Sequence, residues 1–234
     1  MADKSIVMRK VSLLLGWTAF WSALLCPAWA GEIRGQIVIS RLLTKPRVSI
    51  PNYRIRGPAT SSPASDMSIA GEYERTAIYL ETDAAALPAP VTASLSQRNQ
   101  RFDPRLVIIP VGSTVSFPNA DPIFHNVFSL SPTREFDLGY YPAGESRELA
   151  FDKAGIVQVY CHLHTDMNAA IVVVPTRWYL QPDPSGSFAF TGLPAGTYGV
   201  MVWHHAAGVF RQKVELSDHG TADLSFDIPL QETP

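Results

Sequence analysis

Residues 159–167 read VYCHLHTDM and place one cysteine, two histidines and a methionine within seven positions. Thiolate and thioether are soft ligands and imidazole is borderline, so the set suits a transition metal rather than magnesium or calcium. Two histidines, one cysteine and a weak axial methionine make the copper set used for electron transfer. Zinc sites are built mainly from cysteine and histidine. Met167 therefore discriminates between the two metals, provided it is a ligand. Cys161, His164 and Met167 follow the spacing C-x2-H-x2-M, so one short loop can bring all three over one ion. A fourth ligand must come from elsewhere. His125, in DPIFHNVFS, is the candidate within the same block and lies 36 positions before Cys161. Each residue also has an ordinary use: a lone cysteine or methionine packs a core, and a lone histidine is most often a hydrogen-bonded polar group. Their joint occurrence at this spacing is what points to a metal.

The elements that must position these groups read as strands. In GIVQVYC, Val157, Val159 and Cys161 share one parity, which turns the cysteine inward. FHNVFSL is a strand carrying His125, and AAIVVVP (169–175) is an apolar strand suited to a sandwich core. RLVIIPVGSTVSFPN supplies an apolar run, a glycine turn and an alternating strand; ESRELAF precedes a turn at Lys153-Ala154-Gly155. Upstream, Ile33, Ile37 and Ile39 share a parity in GEIRGQIVIS, and RTAIYLET (75–82) is a further strand. Between them, residues 42–72 are rich in Pro and Ser and are expected to form a surface loop or insertion. Residues 83–91 read as a linker. Beyond 176, Phe188 and Phe190, then Tyr198, Val200 and Val202, alternate around tight turns, and two more strands flank Asp218-His219-Gly220. Nothing in 31–234 shows helical periodicity. The expected fold class is all-β, a Greek-key sandwich plus a second, smaller β-sandwich.

Bulk composition narrows the function. Only 17% of the 234 residues are charged and no long basic tract occurs, which argues against nucleic-acid binding. Residues 1–30 have the form of a cleaved signal: charged residues near the start, the fifteen-residue apolar run VSLLLGWTAFWSALL, and an A-x-A site at Ala28-Trp29-Ala30. That run is shorter than the ~20 residues a spanning helix needs. Leu25 before Cys26 argues against a lipoprotein. A periplasmic or secreted location follows, with no stable membrane insertion after cleavage. The mature chain then carries 16 basic against 20 acidic residues, net −4, and one cysteine, Cys161. An exported protein with a single cysteine holds a free thiol, an intermolecular bridge or a metal ligand.

Residues 92–175 resemble a cupredoxin, the small blue copper fold of plastocyanin and amicyanin. The resemblance is carried by FDPRLVIIPVGSTVSFPNADPIFHNV followed by AGIVQVYCHLHTDMNAAIVVV, and the ligand loop has amicyanin's short spacing. It implies one type 1 copper ion with His125, Cys161 and His164 equatorial and Met167 axial. It also implies that Asn126 offers its backbone N–H to the cysteine sulfur. His164 would be the electron exit, within an apolar patch to which Pro122, Phe124 and Met167 are candidates. His162 departs from this pattern. A CHLH string also occurs in multicopper oxidases, but those carry histidine on both sides of the cysteine and further His-x-His pairs. Here Tyr160 precedes Cys161 and His162 should face the opposite side.

GSFAFTGLPAGTYGVMV resembles the carboxypeptidase regulatory-like (transthyretin-like) β-sandwich. That family's first two strands have counterparts in GQIVI and TAIYLE, far upstream. The expectation is a cupredoxin unit inserted between the halves 31–82 and 176–234; two sequential domains are the alternative. His204 and His205, being adjacent on a strand, point to opposite faces and do not chelate one ion together. The implied function is a one-electron carrier between transient redox protein partners, not an enzyme, since nothing supplies a three-histidine second copper site. A copper sequestration or delivery module is the alternative, and a structural sandwich with a vestigial site a further one.

Overall fold

The computed structural model describes residues 31–44, 68–82, 88–164 and 166–228. The expected signal segment, most of the expected loop at 42–72 and most of the linker at 83–91 lie outside these residues. Among the described residues no helix is long and apolar enough to cross a membrane.

The chain begins with β1 (Gly31–Val38), a one-turn helix α1 (Ile69–Tyr73) and β2 (Thr76–Glu81). The helix was not expected. Ser68 caps it, its side chain accepting from the Gly71 amide at 3.1 Å. Ten strands follow: β3 (Thr92–Ser94), β4 (Ser96–Arg98), β5 (Arg101–Asp103), β6 (Leu106–Pro110), β7 (Ser113–Pro118), β8 (His125–Ser131), β9 (Arg134–Tyr141), β10 (Ser146–Phe151), β11 (Gly155–Tyr160) and β12 (Asn168–Val174). The last five are β13 (Tyr179–Leu180), β14 (Ser187–Leu193), β15 (Gly196–His204), β16 (Gly208–Leu216) and β17 (Thr221–Asp227).

Their pairing makes four stacked sheets and a small hairpin. The early strands pair with the late ones: β14-β1-β17 form one sheet and β13-β2-β15-β16 another. The intervening chain forms a five-stranded sheet, β6-β12-β11-β8-β9, facing β10-β7-β3, with β4 and β5 as a separate hairpin. The first two sheets enclose a core of Ile33, Ile37, Ile78, Leu80, Phe188, Phe190, Tyr198, Val200 and Val202. The other two enclose Val115, Phe117, Val127, Val157, Val159, Ile171 and Val173.

A third core joins the two sandwiches. Ala77 and Trp203 on the backs of β2 and β15 pack against Leu106, Ala170, Val172 and Val174 on the backs of β6 and β12. This explains why β12 is apolar throughout. Ala169, Ile171 and Val173 face the inner core of their own sandwich, while Ala170, Val172 and Val174 face the neighbour. With side chains alternating along a strand, burial on both faces removes the polar half of the pattern. Full burial of such a side chain is worth roughly 1.5–3 kcal/mol, so the sheet carrying the cysteine rests on a packed support.

Candidate metal centre

His125 opens β8 with its side chain on the inner face, in phase with Val127 and Ser129, and all three are fully buried. Cys161 follows the last residue of β11 and continues the inward parity of Val157 and Val159. β8 and β11 are neighbours in the same sheet, so their ends deliver the two side chains to one place. His125 Nδ1 lies 3.9 Å from Cys161 Sγ. His164, three residues on, brings its Nδ1 to 3.8 Å from the same sulfur. The one ligand atom that each of these residues offers lies within 4.8 Å of the others. The two imidazole rings sit 4.8 Å apart at 59°, so both edges face the thiol. Among the described residues this is the one such grouping of His, Cys, Asp and Glu side chains.

Met167 closes the loop, its amide donating to the His164 carbonyl at 2.9 Å. Its side chain is 1% exposed and packs in the core that contains Cys161. It therefore does not belong to the exposed apolar patch expected around His164. The chain then enters β12, whose Ala169 shares the core that contains Cys161 and Met167. The exposed apolar residues on this rim are Ile123, Phe124 and Leu163, with Phe124 56% exposed, and Pro122 is exposed beside them. His162 points away from the cluster. It is half-exposed and stacks on Phe128, with ring centroids 3.7 Å apart and planes 7° from parallel.

The electrostatics favour a thiolate. Burial pushes the Cys161 thiol up, but hydrogen bonds from His125, the Asn126 amide, His164 and the Leu163 amide outweigh this and hold it at about 6. For His125, burial pushes the imidazole down, and its bonds to Cys161 and Asp121 more than reverse that. A thiolate flanked by two imidazole nitrogens is a soft-borderline donor set. Metal–sulfur and metal–nitrogen bonds of roughly 2.3 and 2.0 Å at an angle of about 120° would give a sulfur–nitrogen separation of roughly 3.7 Å. The sulfur–nitrogen distances of 3.9 and 3.8 Å are close to this, so the donor set fits a copper ion.

Asp121 was not singled out in the sequence, yet it holds the first histidine. Its Oδ2 lies 2.7 Å from His125 Nε2, which orients the ring with Nε2 toward the carboxylate and Nδ1 toward the sulfur. The same oxygen accepts from the Gln100 amide at 2.7 Å, and Oδ1 accepts from the Asn99 amide. Asn99 and Gln100 are the turn of the β4–β5 hairpin and both have positive φ, 54° and 58°. Such a two-residue loop suits a hairpin, but the left-handed region costs a non-glycine residue roughly 1–2 kcal/mol. Asp121 offsets that cost by capping both amides. Burial pushes the Asp121 carboxyl up, and these bonds outweigh it and hold it below the usual carboxylate range. The sequence signal was an aspartate four residues before the histidine, in a loop where no helical repeat makes that spacing informative.

His204 and His205 lie away from this cluster. His204 is fully buried; its Nδ1 accepts from the Ala206 amide at 3.1 Å and its Nε2 donates to Glu72 at 3.1 Å. Both ring nitrogens are thus used. Glu72, 1% exposed, also accepts from the Leu43 and Thr44 amides and the Thr44 hydroxyl, tying α1 to both flanks. Burial pushes His205 down to about 4, with Arg75 and His204 adding to the effect.

No protein-family model and no curated protein matches the chain. Solved structures match part of it. A purple cupredoxin from Nitrosopumilus maritimus is 23% identical over 35% of this chain and 99% of its own length, with a TM-score of 0.33. A copper-containing nitrite reductase from Thermus scotoductus is 28% identical over 41% of this chain and 25% of its own, with a TM-score of 0.34. An amicyanin variant in its reduced state is 20% identical over 40% of this chain and 86% of its own, with a TM-score of 0.33.

Proposed function

We propose that the protein is an exported type 1 copper protein that carries single electrons between redox proteins, with His125, Cys161 and His164 as equatorial ligands and Met167 as the axial one. The observation that carries this reading is the Cys161 sulfur, buried and flanked at 3.9 and 3.8 Å by two imidazole nitrogens. Copper bound there supplies a one-electron couple between Cu(II) and Cu(I).

The chain's own residues support that task. The imidazoles and the Asn126 and Leu163 amides favour the ionised sulfur before any metal arrives. Asp121 holds the His125 ring in one orientation, with Nε2 toward the carboxylate and Nδ1 toward the sulfur. His125, Cys161 and Met167 lie in the packed core, so little side-chain movement accompanies a change in charge. His164 alone of the proposed ligands is half-exposed, and exposed apolar residues precede both histidines in the chain, Pro122, Ile123 and Phe124 before His125 and Leu163 before His164. A small apolar rim suits a weak, short-lived encounter. The rival reading, copper sequestration or delivery, calls for ligands that exchange readily, and three buried ones do not.

We read the host sandwich as regulatory-like, with the copper unit inserted into it. The support is the pairing of β1 and β2 with β13 to β17.

Protein-film voltammetry of the copper-loaded mature chain tests the carrier reading. The expected result is a reversible one-electron wave with copper retained over repeated cycles in the presence of a chelator. Loss of the metal to the chelator on reduction would favour delivery and overturn it.

A further inference from the structure

We infer that Asp137, an exposed residue of β9, is a positioning residue for the metal centre, acting through Asn126. The inference rests on the metal-centre reading above. Asn126 adjoins His125 and is itself fully buried. Its side chain is a bridge: Oδ1 accepts from the His162 amide at 3.3 Å, and Nδ2 donates to Asp137 Oδ1 at 2.7 Å. One end therefore grips the loop that carries Cys161 and His164. The other end is anchored on the neighbouring strand.

Asp137 is built to hold that anchor still. Its Oδ1 also accepts from the Gly139 amide at 2.8 Å. Gly139 has φ of 70°, at the point where the β8–β9 register shifts between Asn126 and Phe128. An extra residue on β9 lets the strand bend there, and glycine takes the left-handed position the bulge requires. Asp137 caps that bulge and receives Asn126 with the same oxygen. Its other oxygen lies 3.7 Å from His162 Nε2, whose ring is stacked on Phe128. One surface carboxylate thus touches the bulge, the bridge and the residue that follows Cys161. A residue at 137 with no side-chain oxygen leaves Asn126 Nδ2 without its acceptor and frees the bridge to rotate.

Amide hydrogen exchange of the metal-free full chain, followed by NMR, reads the bridge directly. Asp137→Ala should speed exchange of the His162 amide by about tenfold, and in copper-loaded protein should shift the visible thiolate band and speed metal release by about tenfold. Asp137→Asn, which keeps an oxygen acceptor, should restore most of the protection. Glu135→Gln removes a charge from the same exposed face of β9 without touching Asn126 and should leave all three readouts unchanged. If Asp137→Ala does not fold, Asn126→Ser cuts the same bridge from its other end and should give the same signature. His162 exchange and metal release within twofold of the parent in the folded variant would overturn the inference. So would an equal effect from Glu135→Gln, which would assign the effect to charge alone. A parent chain that takes up no copper would defeat the metal-centre reading, while the exchange comparison would still decide the role of Asp137.

Discussion

Replacing Asp121 by asparagine removes one of the two oxygens that receive three hydrogen bonds, from Asn99, Gln100 and His125. The asparagine oxygen can occupy the Oδ2 position and keep the bonds from Gln100 and His125. Its NH2 group then faces the Asn99 amide, donor against donor. The opposite orientation loses two bonds and is worse. The cheaper arrangement forfeits one bond to a charged acceptor, worth about 1.5–3 kcal/mol. Asn99 and Gln100 keep their positive φ with less to hold them. The expected loss in the metal-free protein is about 2 kcal/mol, a fall in Tm of about 4–8 °C for a chain of this size. Metal affinity should fall further, by about 10–100-fold, because the histidine ring orientation is no longer set by a carboxylate. Calorimetry of the apo protein and competition with a chelator of known affinity measure the two effects. A Tm within 1 °C and an affinity within twofold of the parent would refute the argument that Asp121 both caps the hairpin and orients His125.

Three further outcomes follow from the same geometry. Trp203→Ala opens the junction between the sandwiches, where the indole is 4% exposed; stability should fall by about 3–5 kcal/mol while the visible spectrum of the copper-loaded protein stays unchanged. Glu72 is held at about 2, because bonds from His204 and Thr44 outweigh the upward push of burial. A depressed folded-state pKa gives stability that is complete above the unfolded value, near 4.5, and is lost as pH falls toward 2. Glu72→Gln should therefore cost on the order of 3 kcal/mol at neutral pH and flatten the Tm–pH curve between pH ~4.5 and ~2; a curve parallel to the parent's would contradict this. His162→Ala removes a ring stacked on Phe128 and its 3.7 Å contact with Asp137 but keeps the backbone amide that Asn126 holds, and should leave the copper spectrum nearly intact, as read by optical titration.

Much of the architecture could be read from alternation. The strands β7 and β11 keep period-2 burial, so the inward sides of Val115, Phe117, Val157, Val159 and Cys161 were visible in the sequence, whereas β8 and β15 are buried on both faces over much of their length. The trio of His125, Cys161 and His164 was legible because soft ligands at loop spacing have few other reasons to cluster. The hairpin β4–β5 was not, since three-residue strands are too short for a pattern and its turn uses Asn99-Gln100 in place of a glycine. The helix α1 is one turn long and depends on Ser68 and Glu72 rather than on periodicity. The burial of Met167 was missed because spacing places it on the ligand loop but does not say whether the loop turns its end inward or outward. Asp121 and Asp137 carry no type or spacing signal that separates them from solvated aspartates; only the folded chain shows what their oxygens hold. The apolar run of β12 was read as core, but the reason for its completeness, a second sandwich against its back, needed Ala77 and Trp203 to be seen opposite it.

The central claim is that Cys161, His125 and His164 hold copper through a thiolate in a trigonal site. Titration of the purified mature protein with Cu(II), followed by optical and electron paramagnetic resonance spectroscopy, tests it most directly. The account predicts an intense visible thiolate-to-copper band and a narrow copper hyperfine splitting at one ion per chain, both abolished by Cys161→Ser. A colourless protein with an ordinary Cu(II) spectrum, unchanged by that substitution, would contradict it.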